Sequence, residues 1–226
     1  LPAEDMVKEV FAVNPKTIVV LVSSFPYAIG WSQANAPAIM HITNAAQEQG
    51  TAIADVLFGD YNPAGRLVQT WPKSLDQLPR MMDYDITHGR TYMYFKGEPL
   101  YPFGYGLSYT KFEYGNLKLK SESMPKDGRI IVTADIKNTG SRDGDEVAQL
   151  YVQHPQSKVS RPIKALKGFQ RVNLKAGETK TISLTVTAES LAWWNDNIPG
   201  WELESGPVNI LIGGSSQELT LRKTFT

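Results

Sequence analysis

Apolar and polar positions follow two different periods along the chain, and the change falls near residue 110. In the first ninety residues, Met6–Val13 repeats apolar positions as an amphipathic helix does, and residues 17–22 ("TIVVLV") are a near-continuous apolar run. Such a run is typical of a strand covered on both faces. Residues 49–60 return to the helical period, and Gly59 is placed to end that helix in a left-handed conformation. The first part of the chain therefore predicts an α/β unit.

After residue 111 the apolar positions alternate with polar ones. Residues 130–138 ("IIVTADIKN") and 181–187 ("TISLTVT") show this period of two most clearly, and it indicates half-buried antiparallel strands. Four further short runs and their turn signals bring the count to about seven strands, the spacing of an immunoglobulin-like sandwich. We expect three regions: residues 1–89 as α/β, 90–111 as a linker and 112–226 as the sandwich.

An aromatic segment, Arg90–Tyr114, separates the two patterns and holds nine of the eighteen Tyr and Phe residues of the chain. Large rings bury much area with few torsions, and the prolines and glycines of the segment fix its backbone path. We expect it to act as a clamp between domains. Tyr101, Phe103 and Tyr105 alternate along it, and Phe103, which has no hydroxyl group, is expected to be the most buried of the three.

The composition of the chain limits the classes of partner and of functional site that we expect. The chain has 23 basic and 23 acidic residues with no block of one sign, which argues against a nucleic-acid or anionic-membrane partner. It contains no Cys and no apolar run of membrane-spanning length, so neither a disulfide framework nor a thiolate nucleophile is expected. Three scattered histidines, His41, His88 and His154, lack ligand spacing, so we expect no metal and no cofactor. Because the chain opens on Leu1, it is expected to be part of a longer or processed protein.

Seven motifs then occur in a recognisable order. They are "NPKTIVVLVSSFP", "TAIADVLFGDYNPAGRL", "TWPKSLDQLP", "GRTYMYF", "LYPFGYGLSYTKFEY", "VTADIKNTGSRDGDEVAQLYV" and "ALKGFQRVNLKAGETKTI". Together they resemble the C-terminal part of glycoside hydrolase family 3, which contains β-glucosidases and β-xylosidases. The resemblance implies an α/β region followed by an all-β region: part of an α/β sandwich domain, then a fibronectin type III-like (immunoglobulin-like) β-sandwich.

The same resemblance implies where the chemistry is found. In this family the nucleophilic Asp lies on an N-terminal barrel domain, and the acid/base Glu usually precedes a segment like "LPAEDMVKEVF". We therefore assign no catalytic residue to this chain and expect it to be inactive alone. The expected partners are an oligosaccharide substrate and the N-terminal barrel domain or chain of the same enzyme. A non-catalytic carbohydrate-binding module or a structural partner chain is the alternative.

Candidate substrate contacts come from two places. Gln47 and Glu48 lie in a loop between a predicted strand and a helix, and ligands of open α/β sheets bind at the carboxyl ends of strands. Arg90 could pair with a carboxylate near the sugar pocket. Asp83 and Asp85 are two residues apart, so they are neighbours on one element and not a pair that flanks a substrate.

Three tryptophans of the sandwich, Trp193, Trp194 and Trp201, could form a sugar-stacking platform. Core or domain-interface packing is the preferred interpretation, because aromatic rings in sandwiches mainly serve that purpose.

Overall fold

The computed structural model describes residues 2–44, 47–124 and 128–226, and it divides into two compact units. The first unit comprises the described residues up to Tyr61, together with Gln69–Thr91 and Phe95–Pro102. The second comprises Asn62–Val68, Tyr92–Tyr94 and Phe103–Thr226. The aromatic segment therefore contributes residues to both units.

The first unit is built on two parallel strands. Their register pairs Val22 with Ile42, so both strands end at the same edge. Two acidic residues in the first turn of the first helix stabilise it, because the amino end of a helix carries a partial positive charge. Gly59 ends the third helix at φ 86° and ψ 13°, the left-handed conformation that the sequence predicts. In chain order its elements are α1 (Pro2–Val13), β1 (Ile18–Val22), α2 (Gly30–Asn35), β2 (Ala38–Ile42), α3 (Gln49–Phe58) and a 3-10 turn (Leu75–Gln77). The short helix α4 (Thr91–Tyr94) follows along the chain, and all of it except Thr91 belongs to the second unit.

The burial predicted for β1 is wrong. The strand forms, but only Val19 is buried, at 7% exposure, while Ile18 and Val22 are each 47% exposed. Within the described residues β1 pairs with β2 alone, so it lacks the second neighbour and the covering layers that a central strand has.

The second unit is a β-sandwich of seven main strands, which confirms the predicted fold class. One sheet has the order β11-β10-β5-β6, the other has the order β3-β4-β7, and β8 and β9 form a separate hairpin. The strands are β3 (Phe112–Leu119), β4 (Arg129–Asn138), β5 (Gly144–Gln153), β6 (Ala165–Leu174), β7 (Thr179–Thr187), β8 (Trp193–Asn195), β9 (Gly200–Glu202), β10 (Val208–Gly213) and β11 (Leu221–Phe225); the short helix α5 (Ala188–Leu191) follows β7.

The core of the second unit lies between its sheets. Burial alternates along β4 and β7 as the period of two predicts, and Ile136, Leu150 and Ile182 are at most 1% exposed. Gly177, at φ 79°, supplies the left-handed residue of the turn that joins β6 to β7. A continuous apolar core therefore closes this unit.

Candidate functional site

The carboxyl edge of the β1–β2 pair is the part of the first unit where the sequence predicts ligand contacts. The Ser23 amide donates to the Ile42 carbonyl (3.0 Å), which extends the pairing beyond the strands. The Ser23 hydroxyl donates to the Phe25 carbonyl (2.7 Å), and His41 Nε2 lies 2.9 Å from the Ser23 carbonyl oxygen. Because a carbonyl only accepts, Nε2 of His41 carries the proton. These bonds fix the turn that follows β1.

Aromatic rings surround the same histidine. Trp71, 2% exposed, packs edge-to-face against His41 (5.0 Å between centroids) and against Tyr101 (5.7 Å). The Trp71 amide also donates to the Tyr101 carbonyl (2.9 Å), and the Tyr101 hydroxyl donates to the side chain of Gln33. A small cavity of about 150 Å³ belongs to this unit, and it is lined by Pro26, Tyr27, Ala28, Thr70, Pro72, Leu75 and Leu78. The surroundings of His41 are thus largely aromatic, and the cavity of this unit is lined mainly by apolar residues.

Gln47 and Glu48 lie where β2 leads into α3, as the sequence predicts, and both are exposed. The Glu48 carboxylate accepts a hydrogen bond from the Thr51 hydroxyl (2.8 Å), and the Glu48 carbonyl accepts from the Ala52 amide (3.0 Å). Glu48 therefore serves at the start of the helix, and its second carboxylate oxygen is directed to no described residue. A substrate contact at Gln47 or Glu48 stays a prediction.

The loop before the aromatic segment holds Asp83 and Asp85 against His88. His88 Nδ1 donates to Asp83 (2.8 Å), and His88 Nε2 lies 3.6 Å from Asp85, which also accepts from the Thr87 hydroxyl (2.6 Å). The bond to His88 lowers the pKa of Asp83, the bonds to Thr87 lower the pKa of Asp85, and the bond to Asp83 raises the pKa of His88. Both carboxylates are thus ionised and engaged within a single loop.

Arg90 ends that loop and directly precedes α4. Its Nη2 donates to the Arg80 carbonyl (2.8 Å), while its buried Nε has no hydrogen-bond partner among the described residues. No contact between described residues joins Arg90 to Gln47 or Glu48. The structure therefore fixes the Arg90 guanidinium by one bond and leaves donors for another acceptor.

Comparison with known proteins gives this arrangement a family. The model of the glycosyl hydrolase family 3 C-terminal domain matches residues 1–109, and that of the fibronectin type III-like domain matches residues 146–216. The chain belongs to glycoside hydrolase family 3. It is 39% identical over 224 residues to a periplasmic β-glucosidase of Salmonella typhimurium, with 94% of this chain and 29% of the relative covered. It is 40% identical over 220 residues to a xylan 1,4-β-xylosidase of Xylanibacter ruminicola, with 97% and 25% covered.

Solved structures agree. A β-glucosidase of Kluyveromyces marxianus in complex with glucose superposes with a TM-score of 0.92 at 34% identity, over 100% of this chain and 28% of that one. A β-D-glucoside glucohydrolase of Trichoderma reesei gives 0.89 at 32% identity, over 98% and 35%. This family 3 chain thus spans about a quarter to a third of the length of these relatives.

The second unit of the family 3 chain contains a buried ion pair that sequence reasoning missed. Arg66 Nη2 lies 2.7 Å from Glu146 Oε2, with side chains 10% and 5% exposed, and the Tyr114 hydroxyl donates to Glu146 Oε1 (2.6 Å). Burial first, and the Glu146 charge second, raise the pKa of Tyr114 far above its ordinary value. Arg66 and Glu146 are 80 residues apart, so no local pattern could have indicated the pair.

A second polar cluster of this unit surrounds His154. Glu204 accepts from the Ser157 hydroxyl (2.6 Å) and lies 3.6 Å from Arg161 Nη2. Burial, reinforced by the Arg161 charge, lowers the pKa of His154 to about 4. Among the described residues no group of three or more His, Asp or Glu is placed to hold a metal ion. No described helix is long and apolar enough to cross a membrane.

The aromatic segment is divided between the two units of this family 3 chain. Tyr101 packs on Trp71 in the first unit, whereas Phe103 stacks on Tyr92 in the second, with centroids 4.4 Å apart and an interplanar angle of 21°. The Tyr92 hydroxyl in turn accepts from the Leu166 amide (3.0 Å). Phe103 is half-buried and not fully enclosed. The clamp itself stays a prediction.

The tryptophans of the sandwich differ from the expectation of core packing. Trp194 and Trp201 face each other across the β8–β9 hairpin at 5.7 Å, edge-to-face, and are 47% and 71% exposed. Core packing is therefore wrong for these two rings, because the hairpin lies outside both main sheets, and packing at a domain interface stays a prediction. Trp193 is half-buried.

Proposed function

We propose that the chain forms the C-terminal region of a retaining, exo-acting β-glycosidase that removes terminal β-linked xylose or glucose from oligosaccharides. The observation that carries this proposal is the similarity, over 94% or more of the chain, to both a β-glucosidase and a β-xylosidase. Because the chain spans only 25–30% of such relatives, the activity belongs to a longer protein or to a two-chain enzyme.

Retention of configuration needs two carboxylates about 5 Å apart on opposite sides of the anomeric carbon. Asp83 and Asp85 do not fit this requirement, because one loop holds both of them and His88 contacts both. Glu146 is unsuitable as well, since it is 5% exposed and committed to Arg66. Following what the resemblance to family 3 implies, we place the nucleophile and the acid/base residue outside this chain, with the nucleophile on an N-terminal barrel domain.

In this proposal the chain positions substrate and stabilises the enzyme. Gln47, Glu48 and Arg90 are the candidate substrate contacts of the first unit. Arg90 has the strongest support, because the residue is half-buried and its guanidinium donates one hydrogen bond to a described residue, the Nη2 bond to the Arg80 carbonyl. Residues 1–89, 90–111 and 112–226 would then act as the α/β region, the aromatic clamp and the sandwich.

The test uses the complete natural enzyme that contains this chain. Hydrolysis of a p-nitrophenyl β-xyloside or β-glucoside, followed by proton NMR, should show the β-anomer of the sugar as the first product. Arg90→Ala should raise KM about ten-fold or more, equivalent to about 1.4 kcal/mol of lost binding. Arg80→Ala is the matched control, because the Arg80 carbonyl that holds Arg90 remains.

Three results would count against the proposal. An α-anomer as first product would exclude the retaining mechanism. Unchanged KM and kcat in the Arg90→Ala enzyme would remove Arg90 from the substrate site. Absence of hydrolysis by the complete enzyme would favour the second candidate function, a carbohydrate-binding or structural module, which the exposed Trp194 and Trp201 support.

A further inference from the structure

An open cleft of about 950 Å³ lies at one end of the sandwich, where β4 begins and β7 ends. Its lining combines apolar and polar side chains, among them Arg129, Thr187, Glu189, Ser190, Trp201 and Leu203. Clefts of this size with a few polar groups around an apolar surface are the usual form of small-molecule sites.

Trp201 lines this cleft and is largely exposed to solvent. The residue is 71% exposed, and the neighbouring Trp194 packs edge-to-face against it at an interplanar angle of 76°. The contact holds the ring of Trp201 in one orientation without covering it. A large aromatic ring that is both oriented and uncovered marks a surface suited to a flat apolar partner.

Two side chains of opposite charge line the same cleft as Trp201. Arg129 and Glu189 are exposed, and neither forms an ion pair with another described residue. The floor between them is fixed, because the Ser190 hydroxyl donates to the Thr187 carbonyl (2.7 Å) and the Ser190 amide donates to the Thr187 hydroxyl (3.2 Å). The cleft thus offers a forked donor, a two-oxygen acceptor and one aromatic face.

We propose that this cleft binds a neutral β-linked oligosaccharide, with one pyranose ring stacked on Trp201 and with Arg129 and Glu189 hydrogen-bonded to its hydroxyl groups. The axial C–H bonds of a pyranose form an apolar face, while its rim carries vicinal hydroxyls that suit a guanidinium and a carboxylate. A polyanion would be repelled by Glu189 and would find a single cation, Arg129, among the described residues of the lining. The choice of β-linked xylose or glucose rests on the proposed function.

The place of the cleft within the second unit favours access. The far end of β4, at Asn138, bonds to Thr110, and Asn62 donates to the Asp143 carbonyl beside it. Arg129 lies at the other end of this ten-residue strand, about 30 Å away at 3.3 Å per residue. Segments 62–68 and 103–110 therefore leave the cleft uncovered.

The experiment titrates the 226-residue chain with xylohexaose and with cellohexaose while two-dimensional NMR follows its five indole N–H signals. The Trp201 signal, assigned by its loss in Trp201→Phe, should shift saturably, and that of the buried Trp71 should not. Trp201→Ala should weaken binding about ten-fold or more, and Arg129→Gln or Glu189→Gln several-fold. Phe169→Ala is the control, because this ring on β6 is 66% exposed and lies outside the cleft lining.

The proposal is overturned if neither sugar, at about 10 mM, shifts the indole N–H signal of Trp201. That concentration would nearly saturate a site that binds the sugar with a Kd of about 1 mM. The proposal is also overturned if Trp201→Ala binds as the parent does, or if light scattering shows that Trp201→Ala changes the oligomeric state, which would make the cleft a contact between copies. Hydrolysis by the complete enzyme is measured in parallel. Hydrolysis without a Trp201 shift rejects the cleft alone, and a Trp201 shift without hydrolysis rejects the glycosidase function alone.

Discussion

The two units of the chain differ in how far their apolar residues are buried. Among the described residues, 21 of the 24 buried hydrophobic residues belong to the second unit and three, Val19, Ile29 and Trp71, to the first. The exposed large hydrophobics are distributed the other way, with sixteen in the first unit and seven in the second. The second unit therefore has a closed core, and the first presents apolar surface.

This difference bears on how the family 3 chain functions. Extensive exposed apolar surface normally marks an interface. On the first unit it includes Val10 on α1, Ile18 on β1 and Phe58 at the end of α3. We propose that further polypeptide of the same enzyme covers this surface, which agrees with the small share of its relatives that the chain spans. We expect the second unit to be stable without such cover, because its apolar core is closed.

The largest expected contrast concerns ion pairs. Glu146→Ala in the second unit should cost about 3–5 kcal/mol of unfolding free energy, because it leaves Arg66 buried and unpaired. Glu98→Ala in the first unit should cost less than about 1 kcal/mol, because the Lys73–Glu98 pair is exposed. Urea unfolding of the two variants measures both. Equal costs would contradict the contrast, and Arg66→Met combined with Glu146→Leu should recover most of the loss.

Truncation of an apolar side chain should also cost more stability in the second unit than in the first. Leu150→Ala should destabilise the chain by about 2–5 kcal/mol, since Leu150 is 0% exposed in the core. Phe58→Ala should change the unfolding free energy of the 226-residue chain by less than about 0.5 kcal/mol, since Phe58 is 84% exposed. Urea midpoints at constant slope give both values. A Phe58 cost as large as that of Leu150 would show that the first unit has its own closed core.

Two histidines offer a smaller, pH-dependent contrast. The pKa of His154 is about 4 in the folded chain and 6.5 as a reference, so the unfolded state binds its proton first, and stability falls as pH drops from 6.5 to 4. The loss is at most about 3 kcal/mol. The groups that act on His154 are Arg161, Glu204 and Lys167. The lowered pKa of Glu204 adds a loss in the same direction at the acid end.

His88 in the first unit should change stability with pH in the opposite direction. Its bond to Asp83 raises its pKa, so any contribution is complete below pH 6.5 and is lost as pH rises through the folded value. NMR titration of the imidazole signals should place the pKa of His154, about 4, well below that of His88, which is raised. His154→Gln should flatten the stability profile between pH 4 and 6.5, with His88→Gln as the control. A pKa of 6.5 or above for His154 would contradict its burial.

The sequence correctly predicted those structural features that depend on residues close together in the chain. Gly59 was expected to be left-handed because a helix needs such a residue after its last turn, and β4 and β7 were expected to alternate because a half-buried strand must. The Arg66–Glu146 pair could not be predicted, because it joins positions 80 residues apart. The burial of β1 was misjudged because an apolar run shows what a strand can bury and not which neighbours are present.

The candidate site was less accessible to sequence reasoning than the fold. Arg90 stays a predicted substrate contact, and the Arg80 carbonyl that holds it could not be predicted, because it lies ten positions away and has no side-chain signature. Trp201 was assigned to core or domain-interface packing because aromatic rings in sandwiches mainly pack there, and a three-residue strand outside the main sheets gives no distinct pattern.

The most direct test of the account is a hydrolysis assay of the 226-residue chain alone beside the complete enzyme, on p-nitrophenyl β-xyloside and β-glucoside. We predict turnover by the complete enzyme and none by the chain, because removing catalytic carboxylates costs orders of magnitude in rate. The control is the chain carrying Asp83→Asn and Asp85→Asn. Turnover by the chain alone that disappears in this variant would contradict the account, since it would place the catalytic carboxylates within the first unit.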